Sequence, residues 1–510
     1  MKLSTLLKRK QRSHRPEPGP PLRTNISILS RLPLECWLKV LEFLPQRDVS
    51  TVSRQCKELH ASAEPILYRS IDWEWCGSSS SEPPFLSIVK LLRTVHERPE
   101  IAALVQNVSF VSYTRPQEPV YNQRAHIEST KCQKILRDYP TVRNFLLSIV
   151  RLANFPHQRE WKGAVKEGNP HAYAAILISQ MSCLRTLKLD CSFVWDHGWP
   201  GLMITHAMLG SPPGVLSDFS RLTYVDYGNN CSRLRQKNAR GVNVPLFGGL
   251  EGCDRSQYVG WFFLPALRYF AMWAQSPSLA QDIASAMNAQ PSNLARLRQW
   301  SLNQSIISVQ DINRLLPQMK SLEYLRLGLQ YVTCLGQLQC VAAMEPGLRS
   351  VSGTLTKFIL GPHYAAITSQ TAPACAGSQE GLKLPHGLFK SFEKLRTLRL
   401  PTTMLLGWGA NQRKLSGALP AGIKELVLRD CYLETAIPHR KPNEAIHVLA
   451  NFLLYDVHQY PHLRSITVFM DRTPFNMDPV SKMEREELRQ LGGQRHIYVY
   501  LMQNTGQSID

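Results

Sequence analysis

The chain has 510 residues, 44% of them hydrophobic and 19% charged, so it can fill a sizeable core and is not disordered throughout. Its 59 basic and 39 acidic side chains leave a net charge of +20, which invites an anionic partner. The 12 cysteines contain no C-x-x-C pair, and no Cys/His group has zinc spacing; Cys183, Cys191, Asp196 and His197 bracket an expected strand and read as core thiols beside a loop, so no metal and no cofactor is expected.

Residues 1–25 are basic and Pro-rich and are expected to form a flexible arm, with Lys8, Arg9, Lys10, Arg12 and Arg15 suited either to nuclear import or to solubility. No signal-peptide pattern and no membrane-spanning apolar run occurs, and free thiols suit a reducing compartment, cytoplasm or nucleus.

A helical block follows. Pro33 suits a helix start, and Leu34, Trp37, Leu38, Leu41 and Leu44 recur at helical spacing before Pro45. Asp48 is the expected N-cap of a short second helix carrying Val49, Val52 and Cys56. A third carries Leu59, Ala63, Ile66 and Leu67, with Pro65 expected to kink or break it. A block of this size has a marginal core and calls for a partner. The expected boundaries are 26–76 for this module and 77–84 for a Ser/Pro-rich linker.

From residue 85 to about 505 a unit of helix, loop and Leu-x-x-Leu-x-Leu hexad repeats. The hexads are Val105–Phe110, Leu184–Leu189, Leu222–Tyr227, Leu267–Met272, Leu297–Leu302, Leu322–Leu327, Leu395–Leu400, Ile423–Leu428 and Leu463–Val468, with Leu348–Gly353 as a degenerate copy. No unit can bury its apolar face alone, so the units should stack with parallel strands inside and helices outside. Insertions at about 191–221, 228–263, 361–390 and 404–421 are expected to form loops that carry binding residues. A helix from Lys482 to Leu491 and a β-rich run from His496 to Met502 should cap the array.

The insertions supply two candidate substrate-binding groups. Arg233, Arg235, Lys237 and Arg240 form a dense basic cluster that could hold an acidic or phosphorylated peptide, or be a solvated loop. Trp195 and Trp199 could be a recognition pair, or fold back onto the scaffold. No nucleophile elbow, Walker loop or H-E-x-x-H motif occurs, and Gly407-Trp-Gly409 lacks the third glycine of a dinucleotide fingerprint, so an enzyme is not expected.

Residues 27–75 resemble an F-box of the kind found in fungal proteins, through Leu32, Pro33, Glu35, Leu38, Val40, Leu41, Leu44, Asp48, Val52, Ser53, Cys56 and Lys57 and the run Ala63–Ile71. Gln55 and the Leu59-His60 pair depart from the family pattern. The resemblance implies an α/β chain: a short all-helical F-box followed by an irregular leucine-rich-repeat solenoid. It also implies that Leu32, Pro33, Leu38, Leu41, Leu44 and Val52 contact a Skp-family adaptor of a cullin ubiquitin ligase, while the solenoid holds a protein substrate. The alternatives are a scaffold acting outside the ligase and a basic solenoid associated with nucleic acid. The absence of any nucleic-acid-binding motif speaks against the last.

Overall fold

The computed structural model describes residues 33–75, 84–111, 131–229, 235–237, 243–245, 254–288, 291–332, 341–361, 363–365, 384–406, 413–429, 444–471 and 482–504. The expected arm at 1–25 and residues 77–83 of the expected linker at 77–84 lie outside them. The chain divides after Arg69 into two compact units.

The first unit is three helices, α1 (Leu34–Glu42), α2 (Gln46–Val52) and α3 (Lys57–Arg69). Prolines open the first two. Pro33 and Pro45 occupy the N-cap positions, and their carbonyls receive Cys36 N–H at 3.0 Å and Asp48 N–H at 2.8 Å. Asp48 therefore sits in the first turn of α2, where its charge suits the helix dipole, and is not the cap. Pro65 does not break α3, which runs unbroken through it.

The second unit is built on a thirteen-stranded sheet. Its strands are β1 (Ser70–Glu74), β2 (Asn107–Val111), β3 (Thr186–Leu189), β4 (Tyr224–Tyr227), β7 (Tyr269–Met272), β8 (Gln299–Ser305), β9 (Tyr324–Val332), β10 (Lys357–Leu360), β11 (His363–Ala365), β12 (Thr397–Pro401), β13 (Glu425–Arg429), β14 (Ser465–Asp471) and β15 (Tyr498–Asn504). Except for β11, which pairs with β9, they lie side by side in chain order and all are parallel. A separate antiparallel pair joins β5 (Arg235–Lys237) and β6 (Asn243–Pro245). The arrangement is consistent with a solenoid.

The repeat is visible in the backbone. From β2 to β13, one carbonyl just ahead of each strand of the main path takes two N–H groups from the start of the next. Arg396 O accepts from Lys424 N and Glu425 N at 2.8 and 3.0 Å, and Arg298 O accepts from Glu323 N and Tyr324 N at 2.8 and 3.0 Å. Strand side chains alternate between two faces. On one face Val108, Leu187, Val225, Phe270, Trp300, Leu325, Phe358, Leu398, Leu426 and Ile466 form a continuous buried row. Helices between strands bring matching apolar stripes, as in α4 (Phe85–Glu97), which buries Ile88, Val89, Leu92 and Val95 and is followed by the short α5 (Glu100–Leu104). The helix Pro170–Ser179 is apolar all round and buried; Asn169 caps it by accepting His171 N–H and Ala172 N–H.

Three expectations need correction. The helical module ends at Arg69 and not at residue 76, because Ser70–Glu74 pairs with β2 as the first strand of the sheet. Leu348–Gly353 is no strand: Pro346 starts the helix Glu345–Ser350, and the strand of that unit is β10, preceded by Leu355. Gly353 has no side chain for the buried layer, whereas Leu355, Phe358 and Leu360 supply the pattern. The insertion at 191–221 is not mainly loop, and within the insertion at 228–263 the described residues 254–263 are largely folded into the core. The helix Trp199–Leu209 buries Met203 and Ile204, and the turn Gly260–Phe263 buries Trp261 and Phe262. Their approach is so close that a Cβ on Gly201 would collide with the Gln257 carbonyl and one on Gly260 with the Thr205 backbone. At the far end, the expected helix spans Lys482–Gln494 and β15 extends the sheet in register with β14.

Candidate functional site

In the helical unit, Leu41, Val49 and Ala63 form the core, with Trp37, Leu44, Val52, Ile66 and Leu67 packed around them. Glu42 accepts a 2.8 Å hydrogen bond from Arg69, and Gln46 Nε2 donates to Leu67 O at 3.2 Å, so the C-terminal end of α3 is tied to the end of α1 and the start of α2. The Arg69 hydrogen bond holds the Glu42 carboxyl below its ordinary value.

This packing sorts the residues expected to contact an adaptor. Leu41 is 0% exposed and belongs to the core, so the expectation that it faces a partner is corrected. Leu44 and Val52 are partly buried against that core, Leu38 is half-buried and Pro33 is exposed. Leu32 lies outside the described residues. Two apolar side chains not assigned to a partner from the sequence stand out: Phe43 is 81% exposed and Val40 is 45% exposed. With the exposed Cys36 they recur at i, i+4 and i+7, which puts all three on one face of α1. That helix thus carries two apolar stripes. Trp37, Leu41 and Leu44 point inward, and Cys36, Val40 and Phe43 point to solvent. The spacing was available in the sequence, but a helix with two candidate faces does not say which one the fold will bury.

In the sheet unit the two tryptophans separate. Trp199 is 5% exposed and packs edge-on against Trp161 at 4.5 Å, so it is a core residue and no recognition group. Trp195 is half-buried and stacks on Trp273 at 6.2 Å. Arg235 and Lys237 lie on β5, while Arg233 and Arg240 are outside the described residues.

The sheet face opposite the buried row carries polar, charged and aromatic side chains. Tyr224 and Tyr269 are adjacent in register and stack 4.0 Å apart. Lys188 lies 5.5 Å from the Tyr224 ring and Lys357 5.4 Å from the Tyr324 ring. Arg399 and Arg429 both sit over Phe469, at 5.5 and 5.7 Å. Burial pushes the Asp226 carboxyl on this face up to about 7, although Asn229 N–H and Lys188 pull the other way.

One cluster has the outline of a nucleophile relay. Asp196 Oδ2 lies 2.7 Å from His171 Nδ1, and His171 Nε2 lies 3.2 Å from Ser192 Oγ. Burial works against the Asp196 charge, yet His171, His197 and Asn169 hold its carboxyl down at about 2. The surroundings do not suit acyl transfer. Trp75 Nε1 donates to His171 Nε2 at 3.0 Å, so the lone pair that would take the serine proton is already engaged. The Ser192 N–H is bound to Asp190 Oδ1 at 2.9 Å, and Ser192 is 8% exposed. The cluster ties the end of β1, the start of the helix at Pro170 and the turn after β3 together. Among the described residues no group of His, Cys, Asp and Glu could hold a metal ion, and no helix is long and apolar enough to cross a membrane.

Residues 29–64 match the F-box domain model, a span that covers all of α1 and α2 and most of α3. The match supports a general role in substrate recognition by an SCF-type ubiquitin ligase, in which F-box proteins are usually non-catalytic adaptors. No curated protein matches the chain.

Proposed function

We propose that this chain is the substrate-recognition subunit of an SCF-type cullin ubiquitin ligase, with no catalytic step of its own. Its helical unit docks a Skp-family adaptor, and its sheet unit, read as an irregular leucine-rich-repeat solenoid, holds a protein substrate. A partner enzyme transfers ubiquitin to the held protein. The observation that carries this reading is the solvent-facing stripe of Cys36, Val40 and Phe43 within the segment that matches the F-box. Side chains as large and apolar as Phe43 gain by leaving water, and a helix of this kind fits an apolar groove of a partner. Pro33 and the half-buried Leu38 extend the contact, and Leu44 and Val52 shape the core beneath it.

The test is capture of the Skp adaptor by the full-length chain from lysate or as a purified protein. Phe43→Asp with Val40→Asp should abolish capture while leaving the circular-dichroism melt within a few degrees of wild type, since neither residue is in the core. Undiminished capture by the double variant would sink the reading.

A further inference from the structure

We propose that the open face of strands β9 to β13 is a binding site for an acidic peptide segment, gripped by Arg326, Lys357, Arg399 and Arg429. The proposal rests on the receptor reading in taking that segment to belong to a substrate; the site itself is argued from charge and register.

An all-parallel sheet normally has both faces covered. Here one face is a buried row, while the other carries partly exposed polar side chains along its length. Its charge is not evenly spread. On β1 to β4 this face carries Asp72, Glu74 and Asp226, with Lys188 as the cation. On β9 to β13 it carries the four cations named above, and among the described residues of those strands Glu425 is the one carboxylate on that face. Thr397 Oγ1 donates to Glu425 at 3.2 Å. No described carboxylate pairs with Lys357 or Arg429.

The cations are also held in place. Arg399 and Arg429 converge on the single ring of Phe469, and Lys357 rests over Tyr324. Side chains already parked on aromatic rings lose less freedom when they bind. Arg326 and Arg399 occupy the same register position two strands apart, with Ile359 between them. Neighbouring strands are about 4.8 Å apart, so the span is about 10 Å, which three residues of extended chain cross. Nucleic acid fits less well. Phe469 is 4% exposed beneath its two arginines and has no face to offer a base, and the gap between Arg326 and Arg399 is aliphatic.

The experiment uses fluorescence anisotropy with the full-length chain and a fluorescein-labelled (Glu-Thr-Ala)4 peptide. The matched probes are (Lys-Thr-Ala)4, (phosphoSer-Thr-Ala)4 and a dT12 oligonucleotide. The glutamate probe should bind, weaken as salt rises, and lose at least tenfold in affinity with Arg399→Ala/Arg429→Ala. The reversed pair Arg399→Glu/Arg429→Glu should take up the lysine probe instead, a gain that misfolding would not produce. Absence of glutamate-probe binding, equal binding by the alanine pair, or binding confined to dT12 or to the phosphoserine probe would overturn the proposal. Adaptor capture, measured on the same variants, should be unchanged. Absence of glutamate-probe binding by the wild type with capture retained counts against the strip proposal alone, whereas failed capture by the wild type with intact probe binding counts against the receptor reading alone.

Discussion

The helical unit and the sheet unit use the same apolar side chains to different ends. In α1 to α3 a few residues around Leu41, Val49 and Ala63 make the whole core, and Phe43 is left in water. In the sheet unit each leucine of a hexad meets its counterpart from the strands on either side, so Leu325, Phe358 and Leu398 continue one row without a gap. A small core leaves apolar surface for a partner, because so few residues cannot cover every stripe. A stacked array completes each unit with the next one, and what remains exposed is the strand face rather than the hydrophobic layer.

That contrast can be broken by mutation. The largest effect should come from the long core. Trp300→Ala on β8 removes a fully buried indole and should cost about 3–5 kcal/mol in denaturant unfolding. A cost below about 1 kcal/mol would mean that the row is not close-packed. Next, Leu41→Ala should cost about 2–4 kcal/mol, which is large for a core so small. Hydrogen exchange should then show residues 34–69 deprotected while β2 to β14 keep their protection. Loss of protection in both would show that the two units do not melt separately.

The smallest effect is electrostatic. Asp226 has its carboxyl raised from 3.8 to about 7, chiefly by burial. A raised acid favours its neutral form in the folded state, so its contribution is fully present below pH 3.8 and is lost as pH rises through about 7. Asp226→Asn should therefore be stabilising at pH 8, by about 1 kcal/mol given partial exposure, and show no such gain at pH 4. A gain of equal size at both pH values would show that packing, and not charge, decides the effect.

The sequence carried much of this fold. Nine hexads became strands of one parallel sheet, because a two-residue alternation of Leu, Val and Phe can be buried on only one side. Pro33 marked a helix start, since a residue without an N–H loses nothing there, whereas Pro45, which reads as the end of the first helix, also opens the second in place of Asp48. The first strand was harder to see. Ser70–Glu74 follows α3 with no loop between them, and nothing local separates the end of a helical module from the first rung of a sheet. Leu348–Gly353 misled because its spacing suits a strand, while Pro346 and the better hexad from Leu355 to Leu360 compete for the same place.

The candidate surfaces show the same division. Local pattern alone determined that helices would come first and stacked strands after, because apolar periodicity is a property of neighbouring residues. Which stripe of α1 faces solvent, whether Trp199 is a hot spot or filler, and that Arg326, Lys357, Arg399 and Arg429 share one face were decided only by tertiary packing. Those residues lie far apart in the chain, and only the register between strands brings their charges together.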